Sequence, residues 1–281
     1  MPAIDMKGVF AMAVKIGFIG AGNMGGALIK GLSTAGAGKF ELYAYDINEK
    51  AVRELANLYA LNIMPSIPAL VKECDIVVIA VKPAYIKDVL NECAGSFDDS
   101  TIFVTVAVGI PVKFYKKILG DGVKIVRTMP NTPALVGEGM TVVSFDESVD
   151  ASEREIVKDI FKCVGKVEEL DESLMSEVTA VTGSSPAYVY MFIEAMADAA
   201  VQSGIPRALS YRLAAQAVLG AAKMVLDTGK HPGELKDMVC SPGGTTIEAV
   251  AMLERKGFRD AVITAMMECT KKAREIARET V

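Results

Sequence analysis

Histidine and tryptophan are nearly absent from this chain of 281 residues, which has one histidine, His231, and no tryptophan. A single histidine argues against a histidine-based metal site and against a Ser-His-Asp triad. Cysteine is also sparse, and the five thiols form neither a C-x-x-C pair nor a metal-ligand spacing. They are Cys74, Cys93, Cys163, Cys240 and Cys269. We therefore expect no bound metal, and we predict reduced, mostly buried thiols in a cytoplasmic protein.

A strong charge of either sign and long apolar runs are missing as well. Lys and Arg number 30 against 35 Asp and Glu, and no basic block stands out, so we expect no nucleic acid partner. The most membrane-like run, residues 187–201, carries Glu194 and Asp198 and is too short to span a bilayer. We therefore expect no transmembrane segment. The composition, 51% hydrophobic and 23% charged, is typical of a globular protein with one or two domains.

Residues 1–13 precede the first regular pattern and are predicted to be an N-terminal extension. They include Asp5 and Lys7 and lack the basic start and continuous apolar core of a signal peptide. Met6 and Met12 are alternative start positions, and the sequence leaves the true start open.

The strongest local pattern is KIGFIGAGNMGGA at residues 15–27. An apolar run like a buried strand leads into Gly20, Gly22 and Gly25, which have the spacing G-x-G-x-x-G, and helical spacing follows. Such glycines allow a tight turn, close approach of a pyrophosphate, and contact between helix and strand. The helix N-terminus offers backbone N–H groups to the phosphates. The stretch predicts a dinucleotide-binding turn over residues 20–25.

Strand and helix patterns alternate through the first half of the chain. Apolar or alternating runs predict further strands at residues 40–45, 75–81, 101–108, 124–127, 140–145 and 165–170. Residues 152–163 are predicted to be a helix, with Ser152 and Glu155 spaced as a capping box. This alternation predicts an α/β fold with a Rossmann-type, mostly parallel sheet over residues 14–171.

Asp46 comes directly after the second predicted strand and roughly 20 residues after the glycines. At this position a carboxylate can bind the ribose hydroxyls of a dinucleotide. The alternative is a helix N-cap, because Asp46 and Glu49 also have capping-box spacing. Asn48, Lys50 and Arg53 lie close enough to tolerate a 2′-phosphate. The sequence therefore leaves NADPH and NADH both open.

Other predicted strands end in polar or Pro-containing segments, and such ends face the ligand crevice of a parallel sheet. The third strand ends at Lys82-Pro83, where Lys82 is either a cofactor contact or a solvated side chain. Another ends at Gly109. The MPNTPA stretch at residues 129–134 forms a rigid loop that places Asn131 near the crevice.

Helical patterns dominate after about residue 170. Residues 187–203, 207–226 and 258–278 predict three long helices that are apolar around too much of their circumference for a monomer surface. We predict an all-helical domain over residues 172–281 that associates with a second subunit.

Between these helices lies VCSPGGTT at residues 239–246. The Pro-Gly-Gly corner permits close backbone approach, hydroxyl side chains surround it, and Thr245 and Glu248 have capping-box spacing at the start of a helix. We favour a nest for a small carboxylate over a plain interhelical turn.

Longer motifs resemble the pyrroline-5-carboxylate reductase family from Val14 to the C-terminus. They are FIGAGNMGGA, AVKP at residues 80–83, RTMPNTPA at 127–134, VTGSSPAY at 181–188, the AKMVL…HPGELK stretch and LKDMVCSPGGTT at 235–246. The resemblance implies reduction of the C=N bond of 1-pyrroline-5-carboxylate to L-proline by NADPH or NADH, the last step of proline biosynthesis. It also implies a homodimer through the C-terminal helices, with dimers assembling into rings.

Site residues carried over by the resemblance fall into three groups. The cofactor-binding set is Gly20, Ala21, Gly22, Asn23, Met24, Gly25, Asp46, Ala80, Val81, Lys82, Pro83, Ala107, Val108, Gly109 and Asn131. The substrate-binding set is Glu172, Met238, Val239, Ser241, Gly244, Thr245 and Thr246. For the proton that reaches nitrogen, Thr246 and Thr179 are candidates, beside a protonated imine that enters from solution. The chain departs from the family at Met238 and Cys240, where more polar side chains are usual.

Two other functions are compatible with this plan. A β-hydroxyacid dehydrogenase would need a lysine on the helix after the sheet, and residues 179–203 contain neither lysine nor histidine. A non-catalytic NAD(P)-sensing protein would have no need for the carboxylate nest. Both therefore rank below the reductase.

Overall fold

The structure is a computed structural model, and it describes residues 13–279. The predicted extension thus lies outside the described residues, apart from Ala13. The described chain forms two compact units. One contains the residues up to Gly183 together with those from Lys272 onward, and the other is Ser184–Lys271.

The first unit is built on an eight-stranded sheet with the order β3-β2-β1-β4-β5-β6-β7-β8. The strands are β1 (Val14–Ile19), β2 (Phe40–Tyr45), β3 (Leu61–Ile63), β4 (Ile76–Ile79), β5 (Ile102–Thr105), β6 (Lys124–Met129), β7 (Gly139–Phe145) and β8 (Gly165–Glu169). All neighbours are parallel except β6 and β7. A 3-10 turn at Thr132–Val136, rather than a crossover helix, joins that pair, so the chain returns antiparallel. The mostly parallel sheet predicted from the sequence is confirmed.

Helices cover both faces of the sheet. They are α1 (Asn23–Ala35), α2 (Glu49–Leu58), α3 (Ile67–Glu73), α4 (Ile86–Cys93), α5 (Val112–Leu119), α6 (Ala151–Lys162) and α7 (Met175–Val178). In the central strand β4, Ile76 and Val78 belong to one apolar cluster and Val77 and Ile79 to the other. Because successive side chains of a strand point to opposite faces, a wholly apolar strand is buried on both.

The capping pair predicted for α6 is wrong by two positions. Asp150, not Ser152, is the N-cap. Its carboxylate accepts hydrogen bonds from the backbone N–H groups of Ser152 and Glu153, and Glu153 accepts one from the backbone N–H of Asp150. Bonds from the backbone of Glu153 and from Ser152 lower the pKa of Asp150. A carboxylate at the N-cap also interacts favourably with the helix dipole, so the helix begins at Ala151.

The second unit is entirely helical among its described residues. Its helices are α8 (Ser185–Gln202), α9 (Arg207–Thr228), α10 (Pro232–Met238), α11 (Thr245–Arg255) and α12 (Phe258–Glu279), the last of which continues into the first unit. Gly229 closes α9 in the left-handed conformation, with φ 62°, as expected for a helix-ending glycine. No helix among residues 13–279 is long and apolar enough to cross a membrane.

Exposed apolar side chains are frequent on the long helices of this second unit. Tyr190, Met191, Leu213, Leu226 and Met267 are each more than half exposed in the single chain. Apolar surface of this extent marks a protein–protein contact, in agreement with the association predicted from the sequence.

The cysteines are less uniformly buried than predicted. Cys74 and Cys93 are buried, whereas Cys163, Cys240 and Cys269 are only partly so, and all five are free thiols. Burial raises the pKa of Cys74 and of Cys93 to about 12, so both remain protonated and unreactive near neutral pH.

Candidate active site

The strand ends meet at one edge of the sheet. The pairing register places Ile19 of β1 beside Tyr45 and Ile79, and Ile79 beside Thr105. The next backbone groups continue the ladder, because the Gly20 N–H donates to Tyr45 O (2.9 Å) and the Ala80 N–H to Ile19 O (2.8 Å). The cofactor residues predicted at the ends of β1, β2, β4 and β5 are therefore brought together.

Two of the three glycines of the first turn have a steric reason to be glycine, and the third faces open space. Gly20 has φ +104°, and a Cβ there would lie 2.7 Å from Ala80 O. A Cβ on Gly25 would lie only 2.1 Å from Gly20 O, so the helix touches the turn. Around Gly22 a Cβ would meet nothing within 4 Å. Gly22 is also the N-cap of α1 without a side-chain cap, so this open position suits a phosphate at a helix N-terminus.

Asp46 links the end of β2 to this turn. Its Oδ2 accepts a hydrogen bond from the Ala21 N–H (2.6 Å), and its Oδ1 accepts one from the Asn48 N–H (2.8 Å). The N-cap of α2 is Asn48, which accepts from the Ala51 N–H. The alternative that Asp46 caps this helix is therefore wrong. Its carboxylate instead lies beside the glycine turn.

A cavity of about 390 Å³ opens beside Asp46. Its lining is mainly apolar and includes Tyr45, Ile47, Val81, Tyr85 and Val89. A slot of apolar side chains next to a carboxylate suits a flat aromatic base joined to a hydroxylated sugar. The glycine turn, Asp46 and this cavity together fit the adenosine and phosphate portions of a dinucleotide.

A buried pair of hydroxyl groups supports the start of the segment that follows β5. The hydroxyls of Thr105 and Tyr115 lie 2.6 Å apart, and Thr105 Oγ1 accepts a hydrogen bond from the Ala107 N–H. Burial raises the pKa of Tyr115 far above its usual range, so its phenol stays neutral. This arrangement anchors the backbone N–H of Ala107, the first of the predicted cofactor residues after β5.

Asn131 and Thr179 both have hydrogen-bond partners within the first unit. The Asn131 amide donates to Thr182 O (3.0 Å) and accepts from the Met140 N–H (2.9 Å). Thr179 begins the π-helical turn Thr179–Gly183, and its hydroxyl donates to Met175 O at 3.4 Å. The contacts of Asn131 tie the loop between β6 and β7 to this turn. The cofactor role of Asn131 and the proton role of Thr179 remain predictions.

The side chain of Glu172 reaches the first residue of α5, a contact that the sequence did not indicate. Its Oε1 accepts hydrogen bonds from the Val112 N–H (2.7 Å) and from Arg127 Nη1 (3.3 Å). The Arg127 side chain is only 5% exposed, and its Nε has no hydrogen-bond partner among the described residues. Glu172 therefore caps a helix and neutralises a buried guanidinium. Its predicted substrate contact remains a prediction.

In the second unit, the Pro-Gly-Gly corner forms a tight turn before α11. The Gly244 N–H donates to Ser241 O (3.0 Å), and a Cβ on Gly244 would lie 2.3 Å from Ser241 Oγ. Gly244 is the N-cap, and no side chain caps the helix. Thr245 is thus the first helical residue rather than the cap, so its predicted capping box with Glu248 is wrong. The predicted helix N-terminus itself is confirmed.

The exposed corner presents donors that suit a carboxylate. The first backbone N–H groups of α11 lie at this corner, Ser241 is part of the turn, and Thr245 and Thr246 are the first two residues of the helix. Met238 and Val239 precede the corner and are 62% and 63% exposed. An anion at a helix N-terminus is stabilised by the N–H groups and by the helix dipole, while the two apolar side chains offer contacts to a ring.

The mostly parallel sheet, the glycine turn and the carboxylate after β2 define the class of the protein: it is a Rossmann-type dinucleotide-binding protein. The family profile described as NADP oxidoreductase coenzyme F420-dependent matches residues 15–109, and the profile described as pyrroline-5-carboxylate reductase dimerisation matches residues 172–276. The chain is 48% identical to pyrroline-5-carboxylate reductase of Escherichia coli (strain K12) over 268 residues, which covers 95% of this chain and 100% of the relative. The chain therefore belongs to the pyrroline-5-carboxylate reductase family.

Solved structures agree with this membership. The NADP-bound pyrroline carboxylate reductase of Plasmodium falciparum is similar with a TM-score of 0.84 and 35% identity, and the match covers 94% of this chain and 98% of that one. The pyrroline-5-carboxylate reductase of Coxiella burnetii is similar with a TM-score of 0.86 and 31% identity, with coverage of 93% and 98%. Both matches extend over nearly all of each chain, so the family's whole architecture is present here.

Proposed function

We propose that this protein reduces the C=N bond of 1-pyrroline-5-carboxylate to L-proline, with NADPH or NADH as the reductant. The observation that carries the proposal is the 48% identity to the Escherichia coli enzyme over that enzyme's full length. It includes both the glycine turn and the Pro-Gly-Gly corner, so it favours a reductase over a β-hydroxyacid dehydrogenase or a non-catalytic sensor.

The two domains predicted from the sequence divide the binding work in this proposal. Residues 14–171 hold the dinucleotide, with its phosphates at Gly20–Gly25, its ribose at Asp46 and the nicotinamide end near residues 80–83 and 107–109. Residues 172–281 hold the substrate and carry the dimerisation helices. Ser241, Gly244, Thr245 and Thr246 bind the substrate carboxylate, and Met238 and Val239 contact the ring.

When bound, the reduced dinucleotide supplies the hydride to the imine carbon. The chain itself supplies orientation, because a bound imine and a bound nicotinamide need close alignment more than acid–base assistance. The N-terminus of α11 fixes the carboxylate end of the substrate and so sets which face of the C=N bond is presented. Thr246 holds a hydroxyl at that end and is our candidate, beside Thr179, for delivering a proton to nitrogen.

Assembly and location complete the proposal. We place the homodimer interface on the exposed apolar faces of α8, α9 and α12, and dimers of this kind are able to build a larger ring. We place the protein in the cytoplasm, as an enzyme of amino-acid biosynthesis, since all five thiols are free.

An assay with both cofactors tests the function against its rivals. In one set of reactions, purified protein is mixed with 1-pyrroline-5-carboxylate and either NADH or NADPH. In a second set, it is mixed with a 3-hydroxy acid and the oxidised form of each cofactor. Nicotinamide absorbance is followed in both sets. The proposal expects oxidation of a reduced cofactor with the imine alone. Turnover of the hydroxy acid instead would favour the dehydrogenase. Cofactor binding without any turnover would favour the sensor.

Replacement of Asp46 tests its place at the ribose. We expect Asp46→Ala to raise the use of NADPH relative to NADH by about tenfold, because two like charges about 4 Å apart near a protein surface repel by about 1 to 4 kcal/mol. Steady-state kcat/KM with each cofactor measures the ratio.

A second variant separates charge from hydrogen bonding at the same position. Asp46→Asn removes the charge but keeps a carbonyl oxygen for the Ala21 N–H. We expect it to move the ratio in the same direction with less loss of NADH affinity. An unchanged ratio in both variants would remove Asp46 from the ribose site.

Replacement of Thr246 tests the carboxylate nest. We expect Thr246→Ala to raise the KM for the imine by roughly tenfold or more, because a hydrogen bond to a charged group contributes about 1.5 to 3 kcal/mol. The KM for the cofactor should change much less. Thr34→Ala, which removes an exposed hydroxyl near the end of α1 and away from both predicted binding corners, is the matched control. If Thr246→Ala leaves the imine KM as it is, the carboxylate lies elsewhere.

A further inference from the structure

The C-terminal end of α12 leaves the helical unit and packs within the sheet unit. Residues from Lys272 onward belong to the same compact unit as the sheet. Ala273 is 5% exposed, so this end of the helix is packed against other residues and does not project into solvent. Two of its side chains, Arg274 and Ile276, contact residues of the first unit near the segment that follows β5.

The first contact is an ion pair with α7. Both Nε and Nη2 of Arg274 donate to Glu177 Oε1, the Nε bond at 3.0 Å. The other oxygen, Glu177 Oε2, is buried without a hydrogen-bond partner among the described residues. The Arg274 bond lowers the pKa of Glu177. The Arg274 and Glu177 side chains are 56% and 32% exposed, but two guanidinium N–H groups converge on one carboxylate oxygen, and such charge-assisted bonds fix the orientation of both side chains.

The second contact lies directly on the segment after β5. Gly109 has φ +81°, in the left-handed region, and a Cβ there would lie 3.0 Å from Ile276 Cγ2 and 3.5 Å from the Ala277 backbone nitrogen. The helix end therefore passes against Gly109 so closely that only glycine fits without displacement.

The two contacts converge on the same short segment. On α7, Met175 and Val178 form a buried cluster with Met129 and Val142, and Val108 packs against that cluster. Glu177 immediately precedes Val178. Thus α7 supports Val108 from one side, the end of α12 covers Gly109, and the Arg274–Glu177 pair joins these two supports.

We propose that Arg274 is a positioning residue, which holds the Ala107–Gly109 segment in place by fastening the end of α12 to α7. The inference rests on the proposed function only in taking this segment to contact the nicotinamide end of the dinucleotide. Arg274 touches neither substrate nor cofactor in this account. Its effect passes through Glu177, Val178 and the packed backbone of the segment.

The test replaces Arg274 by Met in the full chain, with Lys272→Met as the matched control. Lys272 lies on the same helix and pairs with Glu275 at an exposed site. For Arg274→Met we expect faster hydrogen exchange of the amides of residues 106–110 and a fall of roughly tenfold in kcat, because small misplacements of a reacting group are costly. The KM for the imine should change much less than kcat, because the substrate residues themselves are untouched. Lys272→Met should change none of these.

A second variant keeps the proposal testable if Arg274→Met folds poorly. Ile276→Ala keeps the ion pair and removes the Cγ2 methyl group that faces Gly109, and we expect a smaller rise in exchange confined to residues 106–110. Unchanged exchange of this segment in both variants would overturn the proposal, as would a loss of kcat that Lys272→Met reproduces. The exchange readout does not use turnover. A parent protein inactive toward the imine would therefore sink the proposed function while the positioning role is still judged on exchange.

Discussion

A Gly25→Ala variant is expected to lose at least about 100-fold in affinity for NADPH and NADH, since misplacement of a binding group by about 1 Å costs on this order. The added Cβ would lie 2.1 Å from Gly20 O, which is backbone and cannot move without opening the turn that we propose for the phosphates. Fluorescence titration of each reduced cofactor measures the loss. Circular dichroism of the same sample establishes that the sheet has formed.

The neighbouring residue provides a matched control. A Cβ on Gly26 would meet its nearest atoms at 3.7 Å and beyond, which is ordinary van der Waals contact. Gly26→Ala should therefore retain cofactor binding and gain a little stability, since alanine favours a helix interior more than glycine does. Equal binding by the Gly25 and Gly26 variants would mean that the turn is not the phosphate site.

The second large effect concerns the buried guanidinium. Glu172→Ala is expected to lower the free energy of unfolding by about 3 kcal/mol, because it leaves Arg127 buried without its ion-pair partner. The same change removes the acceptor for the Val112 N–H at the start of α5. Urea denaturation followed by circular dichroism measures the difference.

Two controls separate this effect from general surface disturbance. Glu155→Ala removes an exposed carboxylate that pairs with Lys158 and Lys162, and it should cost less than about 1 kcal/mol. The double variant Arg127→Met with Glu172→Ala removes the buried charge itself and should recover part of the loss. A stable Glu172→Ala protein with a raised imine KM would instead support the substrate contact predicted from the sequence.

Much of the sheet was predictable because its strands are buried on both faces. The continuous apolar run around Ile76–Ile79 and the alternation of Phe40–Tyr45 are local patterns that require no partner to be recognised. The three-residue strand Leu61–Ile63 was missed, since so short a segment has no measurable period. The antiparallel return of β7 was also missed, because it depends on a connection that lacks a helix.

The two predicted binding corners could be located from the sequence, whereas the interactions that support them could not. The glycine spacing and the Pro-Gly-Gly corner are contiguous in sequence. The partners of Glu172 lie 45 and 60 residues away, and Glu177 is separated from Arg274 by 97 residues. Contacts between residues so far apart in the sequence arise only from the folded arrangement, and a charged residue in the sequence does not reveal which partner neutralises it.

The measurement that most directly tests the proposed reaction is the fate of the hydride. The protein is incubated with 1-pyrroline-5-carboxylate and with NADH or NADPH that carries deuterium at the transferred position of the nicotinamide ring, and the product is analysed by mass spectrometry and NMR. The proposed function predicts L-proline with one deuterium per cofactor oxidised, bound to the former imine carbon. Proline without deuterium at that carbon, or cofactor oxidation without proline, would contradict it.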